Sequence, residues 1–265
     1  MLLFDVAREN ANSALALLRS MGIVESGSIS ISEPSTVLSV EAELAEAAAP
    51  GHPDDGVVWE QIEDRAASEA RPSWSFMAFL VLATLLAGIG RYLDQPILII
   101  GAMVVGPEFA PVAAISLALA RGRHRLLLPA SLTLFGGFLL ATAVSALVWL
   151  ITYGVGAIDA TQATTGKATE FIIKPDGWSF VVALLAGCAG VLSLTTAKSS
   201  ALVGVFISVT TVPAVGTIGL TLAVGAWGEA GSSMRQLAIN LAGLIIAGTI
   251  TLAVQALAWR RLHGR

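Results

Sequence analysis

The sequence is short of charge. Only 13% of its 265 residues are Asp, Glu, Lys or Arg, against roughly 25% in a soluble domain. That shortage excludes a disordered chain, a nucleic-acid binder and an ordinary soluble enzyme as starting readings. Cysteine is nearly absent. The single Cys188 cannot close an intramolecular disulfide, and its apolar surroundings suit a small packed residue. His52, His124 and His263 are too scattered for metal-ligand spacing, so no metal or other cofactor is expected. There is no His-Glu-x-x-His, nucleophile elbow, phosphate loop or pair of intramembrane aspartates, and no enzymatic activity is expected. The opening Met1 to Asp5 has neither a basic n-region nor a long apolar core. The first membrane segment is therefore expected to act as its own insertion signal.

What the chain does have is apolar length. Its hydrophobic share is 55% and its mean hydropathy +0.78. The charge is divided unevenly. Residues 1–73 hold four Arg against thirteen Asp and Glu, whereas residues 74–265 hold eleven Lys and Arg against six Asp and Glu. A spanning helix needs about 20 mostly apolar residues. Six such segments are read at 74–90, 96–120, 126–151, 178–194, 201–224 and 237–259, a transmembrane domain over 74–259 with a basic tail at 260–265. Leu126 to Ile158 carries no charge at all. Trp74, Trp149, Trp178, Trp227 and Trp259 stand at or near segment ends, as interfacial anchors do. The basic residues favour both termini inside. Arg121, Arg123, Arg125, Lys198, Arg260, Arg261 and Arg265 fall on the cytoplasmic side, against Arg91, Lys167, Lys174 and Arg235 outside.

Ahead of the membrane part, residues 1–49 predict a small cytoplasmic α+β segment. Residues 1–6 read as a strand, Ala7 to Met21 as a helix capped by Gly22, and Gly27 to Ser32 as a second strand by its alternation. This β-α-β piece of 33 residues is too small to bury a core alone. It calls for a second copy in a homo-oligomer, packing on the membrane domain, or a missing half. An acidic helix follows from Ser35. Residues 50–73 then supply a linker at Pro50 to Gly56 and an amphipathic juxtamembrane helix.

The membrane half carries an internal echo. Gly101, Pro111 and Gly122 match Gly204, Pro213 and Gly225 with small gaps. Each copy is the middle member of a group of three segments. An odd number of spans per repeat inverts the second copy, the arrangement of many secondary transporters. Both middle segments are interrupted, one at Gly106, Pro107 and Pro111, the other at Pro213 after Ser208, Thr210 and Thr211. Paired interruptions point to a binding site; two ordinary proline kinks would give the same sequence.

Glu108 is the sharpest feature, with twelve uncharged residues on each side. A carboxylate at that depth is costly and commonly marks an ion or proton path. It could instead cap the amides freed at the break or pair with a basic residue such as Lys198. Asn240 in the sixth segment is a candidate for hydrogen bonding across helices. Arg121, Arg123 and Arg125 set topology and could also meet anionic lipid headgroups.

The runs Ile97 to Pro111, Leu184 to Leu194 and Ala201 to Pro213 resemble the bacterial membrane family of domain-of-unknown-function 389. The resemblance is strong over about residues 75–225. It implies the membrane fold and, in relatives, a small ferredoxin-like domain ahead of it, of which only half would be present here. Many relatives carry a Ser-Pro-x-Met-Gly-Pro type tract at Gly106 to Pro111. Glu108 departs from that tract, so its role does not follow from the resemblance.

The expectation is an all-α polytopic protein of the bacterial plasma membrane. Six spans form two inverted three-helix repeats with broken second and fifth helices. Its partners would be the bilayer and a small ion or solute, with no nucleic acid. Gly106, Pro107, Glu108, Pro111, Lys198, Ser208, Thr210, Thr211, Pro213 and Asn240 are the candidate binding residues. The alternative is a non-transporting sensor, scaffold or lipid-binding protein acting through the acidic segment and the basic loop.

Overall fold

The computed structural model describes residues 5–32, 39–49, 57–172, 176–196 and 210–263. Most of the expected first strand, the Pro50 to Gly56 linker, Lys198, Ser208 and the first part of the fifth segment lie outside those residues.

The N-terminal part corrects the α+β expectation. Among the described residues it has no strand. A 3-10 turn at Arg8–Asn10 leads into α1 (Ala11–Ser20) and a single turn, α2 (Ile23–Ser26). Gly22 between them takes φ 70°, the left-handed cap that glycine adopts without strain. Residues 27–32 join no ladder. Alternation makes a strand only where a partner covers the apolar face, and Ile31 stays 44% exposed.

Two short helices with acidic first turns follow, α3 (Val40–Ala48) and α4 (Trp59–Glu69). Asn12 ties α1 to the start of α4. Its Oδ1 accepts from the Trp59 amide at 3.2 Å and its Nδ2 donates to the Val57 carbonyl at 2.7 Å.

The remaining helices are α5 (Trp74–Tyr92), α6 (Pro96–Val105), α7 (Phe109–Arg121), α8 (Leu127–Gly154), the short α9 (Ala160–Thr164), α10 (Gly177–Thr195), α11 (Thr211–Ala223) and α12 (Trp227–His263). Among the described residues, four stretches are long and apolar enough to cross a membrane: Trp74–Tyr92, His124–Gly154, Gly177–Thr195 and Trp227–Ala258. The α6–α7 pair meets the same criterion as one span bent by 55°. α11 is apolar but only 13 residues long. The chain is thus an all-α protein of the multi-pass membrane class. α12 begins ten residues ahead of the apolar segment read at 237. Ser233 and Gln236 are buried in that first stretch, so hydropathy alone understates the helix.

The two short helices form the centre. Every residue from Thr211 to Thr221 is buried, as is Pro111 to Ala118 of α7. α7 packs on α8 and α12, and α11 packs on α5, α8 and α12. The outer helices turn Phe79, Leu132, Leu139, Leu185 and Ile250 outward, an apolar exterior suited to lipid. Small residues permit close helix approach. A Cβ on Gly187 would meet the Leu244 carbonyl at 2.7 Å, and one on Gly243 the Ala183 Cβ at 2.6 Å.

Side-chain contacts define two ends of the bundle. At one, Glu63 of α4 pairs with Arg121 and Arg123, the Thr133 hydroxyl donates to the Ala70 carbonyl, and Gln255 donates to Thr195. At the other, Arg91 reaches the 164–169 loop and Glu229. α5, α6–α7, α8 and α10 alternate in direction between these ends, and α12 runs parallel to α10.

Candidate functional site

The break between α6 and α7 arises locally. Pro107 has no N–H and pushes the residue before it out of the helical region. Gly106 accordingly takes φ −67°, ψ 128°. Glu108 then caps α7, so its side chain leaves the chain at a helix N-terminus. Pro111 and Pro213 do not kink helix interiors as the sequence suggested. Each is the third residue of a 13-residue helix, in the first turn, where no intrahelical N–H is required.

The N-termini of α7 and α11 meet in the core. The Thr211 hydroxyl donates to Glu108 Oε1 at 2.6 Å. Glu108 is 6% exposed, and its Oε2 is buried without a hydrogen-bond partner. Gly106 leaves the room for it, because a Cβ there would collide with Oε2 and would meet Val212 Cγ2 at 2.7 Å. Thr210, the cap of α11, accepts from Asn240 Nδ2 at 2.7 Å and from Gln236 Nε2 at 3.3 Å. The Phe109 ring fills the space left by Gly190 of α10, which anchors the α7 start from the other side.

The structure therefore brings together Gly106, Pro107, Glu108, Thr210, Thr211 and Asn240. Pro111 and Pro213 shape the first turns behind them. Lys198 and Ser208 lie outside the described residues. Gln236 was missed from sequence. The available signal was its i, i+4 spacing to Asn240 in an apolar helix. A cleft of about 30 Å³, room for one water, lies between α4 and α7. Ile62, Ala66, Ala110, Ala113 and Val191 are among its lining, and it reaches within two residues of Glu108.

The basic loop stands apart, a full α7 length away. Arg121 stacks 4.5 Å over the Trp59 ring and lies 3.6 Å from Glu63; Arg123 is 2.7 Å from the same carboxylate. Arg125 is exposed. Two of the three proposed lipid-facing arginines thus already face an acidic partner on α4.

A second polar cluster was read from sequence only as an outside charge. Arg91 is fully buried. Its Nη1 donates to the Gly166 carbonyl and the Thr169 hydroxyl, both at 2.8 Å, and its Nη2 donates to the Thr164 carbonyl at 3.2 Å and lies 3.5 Å from Glu229. Asp94 holds the same loop from φ 52°, accepting from the Ala168 and Thr169 amides and the Thr169 hydroxyl. Partial burial opposes ionisation of Asp94, but these donors outweigh it and hold the carboxyl below its usual range. A depressed folded-state pKa stabilises the protein above the unfolded value, near 3.9 for Asp. That contribution is lost as pH falls through the folded value. Thermal unfolding of purified protein between pH 7 and 3 should show this acid loss, and Asp94→Asn should flatten it. An unchanged acid limb in the variant would count against the assignment.

An uncharacterized protein of Methanocaldococcus jannaschii is 28% identical over 195 residues, which cover 72% of this chain and 58% of that protein. The chain thus spans less than two thirds of that relative's length, and the relative is archaeal, so the group is not confined to bacteria. No solved structure matches. The family profile for domain of unknown function 389 matches residues 103–246, which include Glu108, Thr210, Thr211, Gln236 and Asn240. With more than half its length matched, the chain belongs to the DUF389 family.

Proposed function

We propose that the protein is a non-enzymatic transporter or channel-like protein for a small ion or solute. Its six spans form two inverted three-helix repeats, with the binding site where the two half-helices meet. The observation that carries this reading is the Thr211–Glu108 hydrogen bond. It joins the N-termini of two half-helices inside a bundle whose exterior is apolar. Irregular backbone at such depth is tolerated where it is buried in protein or lines a cavity.

Several features support the repeat. α7 and α11 are both 13 residues long, each with proline third and a positive-φ glycine just beyond its end, Gly122 and Gly225. α7 packs on the third helix of the second group, α12, and α11 on the third helix of the first, α8. The packing is also reciprocal in detail. A Cβ on Gly248 would meet Ser116 Oγ at 2.8 Å, and one on Gly219 would meet Ser145 Oγ at 2.6 Å. Ser116 is the eighth residue of α7 and Gly219 the ninth of α11, so the two contacts fall within one residue of matching places. The excess of basic residues on the α4 side supports a plasma-membrane protein with that end in the cytoplasm.

The test is flux in proteoliposomes. Wild-type protein should move a monovalent ion or a small solute faster than protein-free vesicles, and Glu108→Gln should cut that rate at least about tenfold. Wild-type vesicles no leakier than empty ones to every ion and solute tried would overturn the reading.

A further inference from the structure

The atoms left over at this site have one chemical character. Two half-helix N-termini converge, a geometry that ordinarily attracts an anion. Here the protein's own carboxylate occupies that place. Three side-chain donors of the junction are already used. The Thr211 hydroxyl serves Glu108 Oε1, and the amides of Gln236 and Asn240 serve Thr210. Among the described residues, Glu108 Oε2 and Gln236 Oε1 are buried acceptors without a partner. An anion entering here would meet a negative charge. A cation would meet oxygen ligands.

Among the described residues, no charged group nearby compensates Glu108. On α12 the inward side chains are Gln236 and Asn240, while Arg235 is exposed and donates to Ser232. Arg91 of α5 and Glu229 of α12 pair with each other at the loop end. Arg121 of α7 pairs with Glu63 of α4, and Arg65 of α4 with Glu69. On α10 the titratable group is the half-buried Cys188. α8 and α11 offer only hydroxyls. Among the described residues, no group of three or more acidic, Cys or His side chains gathers here. One carboxylate with neutral oxygens suits a singly charged ion better than Ca²⁺ or Mg²⁺.

We infer that the junction of α7 and α11 binds a small monovalent cation, sodium or a proton, with Glu108 as its counter-charge. This rests on the proposed transport site and narrows its substrate or coupling ion.

The experiment reads binding apart from transport. Full-length protein in detergent is melted in N-methylglucamine chloride while sodium chloride replaces it at constant ionic strength. A second series varies pH from 8 to 5 without sodium, above the range where Asp94 is lost. A bound ion raises the melting temperature with saturation. A rise with sodium assigns a sodium site, and a rise only with acid assigns a proton site. Either supports the inference if Glu108→Gln abolishes the response. In the proton case the glutamine variant at pH 8 should already melt like the acid form of wild type. Thr211→Ala keeps the carboxylate but loses its donor, and should shift the half-saturation point about 3- to 10-fold. That shift serves as the readout if Glu108→Gln does not fold. A wild-type protein indifferent to both cations, as pairing of Glu108 with Lys198 would make it, overturns the inference. So does an undiminished response in Glu108→Gln, or stabilisation that follows chloride or sulfate instead. A cation response without flux in vesicles retires the transport reading and leaves this one. Flux in wild-type vesicles with no cation response does the opposite.

Discussion

Substituting alanine for Arg91 is expected to destabilise the protein by about 3–5 kcal/mol, the usual cost of removing one partner from a buried ion pair. The guanidinium is fully buried and satisfies three loop acceptors, at Thr164, Gly166 and Thr169, as well as facing Glu229. Its removal leaves those oxygens dry and unpaired, each at a desolvation cost. The variants should rank by geometry. Lysine keeps the charge but cannot serve three directions with a planar fork, so it should fall between wild type and alanine. Glu229→Gln should cost less, since the Glu229 side chain is 27% exposed and water can replace part of its role. Thermal unfolding in detergent gives the ranking, and limited proteolysis of the 155–172 loop gives the site of the damage. Alanine and wild-type proteins melting within a degree of each other, with equal protease resistance, would refute the role.

Arg91 also shows what hydropathy reads and what it misses. Window averages locate a residue along the membrane normal, and by that measure Arg91 is an ordinary end-of-span charge. They do not report which way it points around the helix, and Arg91 points inward. The long apolar helices and the break at Gly106–Pro107 were legible because each depends on local chemistry. The position of Glu108 at a helix cap was implicit in the Gly-Pro step before it. The strand at Gly27 to Ser32 was misread because alternation specifies a face but not a partner, and Ile31 stays exposed. Pro111 and Pro213 were correct markers for a different reason. They start helices rather than bend them. The Thr211–Glu108 contact joins residues 103 apart in sequence. Only the repeat suggested that the two breaks should meet, and no local pattern named the atoms. Gln236 escaped because it fell just ahead of the segment boundary set by apolar content.

The second large effect is expected at Gly216, and its sign depends on where a glycine sits. In an exposed helix, Gly→Ala is favourable by about 0.5–1 kcal/mol, because the backbone loses less freedom on folding. Gly136 on α8 meets that condition, since a Cβ there has nothing within 4 Å. Gly136→Ala should therefore leave the melting temperature unchanged or raise it. Gly216 is the opposite case. A Cβ there would lie 2.6 Å from the Thr84 carbonyl oxygen, 2.7 Å from Ala87 Cβ and 2.9 Å from the Gly88 nitrogen. Two of those three are backbone atoms of α5, which cannot rotate aside as a long side chain would. The helices must separate, and overpacking of this kind costs about 1–3 kcal/mol for one added methyl. Gly216→Val should exceed that and leave little folded protein. The damage should also be felt at the site. Gly216 lies five residues, about 7.5 Å along the axis, from Thr211, on a helix buried on all sides. Moving α11 off α5 displaces the hydroxyl that holds Glu108. Gly216→Ala should thus weaken the cation response even at temperatures where it remains folded, whereas Gly136→Ala should leave that response intact. Equal melting temperatures and equal responses for the two alanine variants would show that α5 and α11 do not pack backbone to backbone.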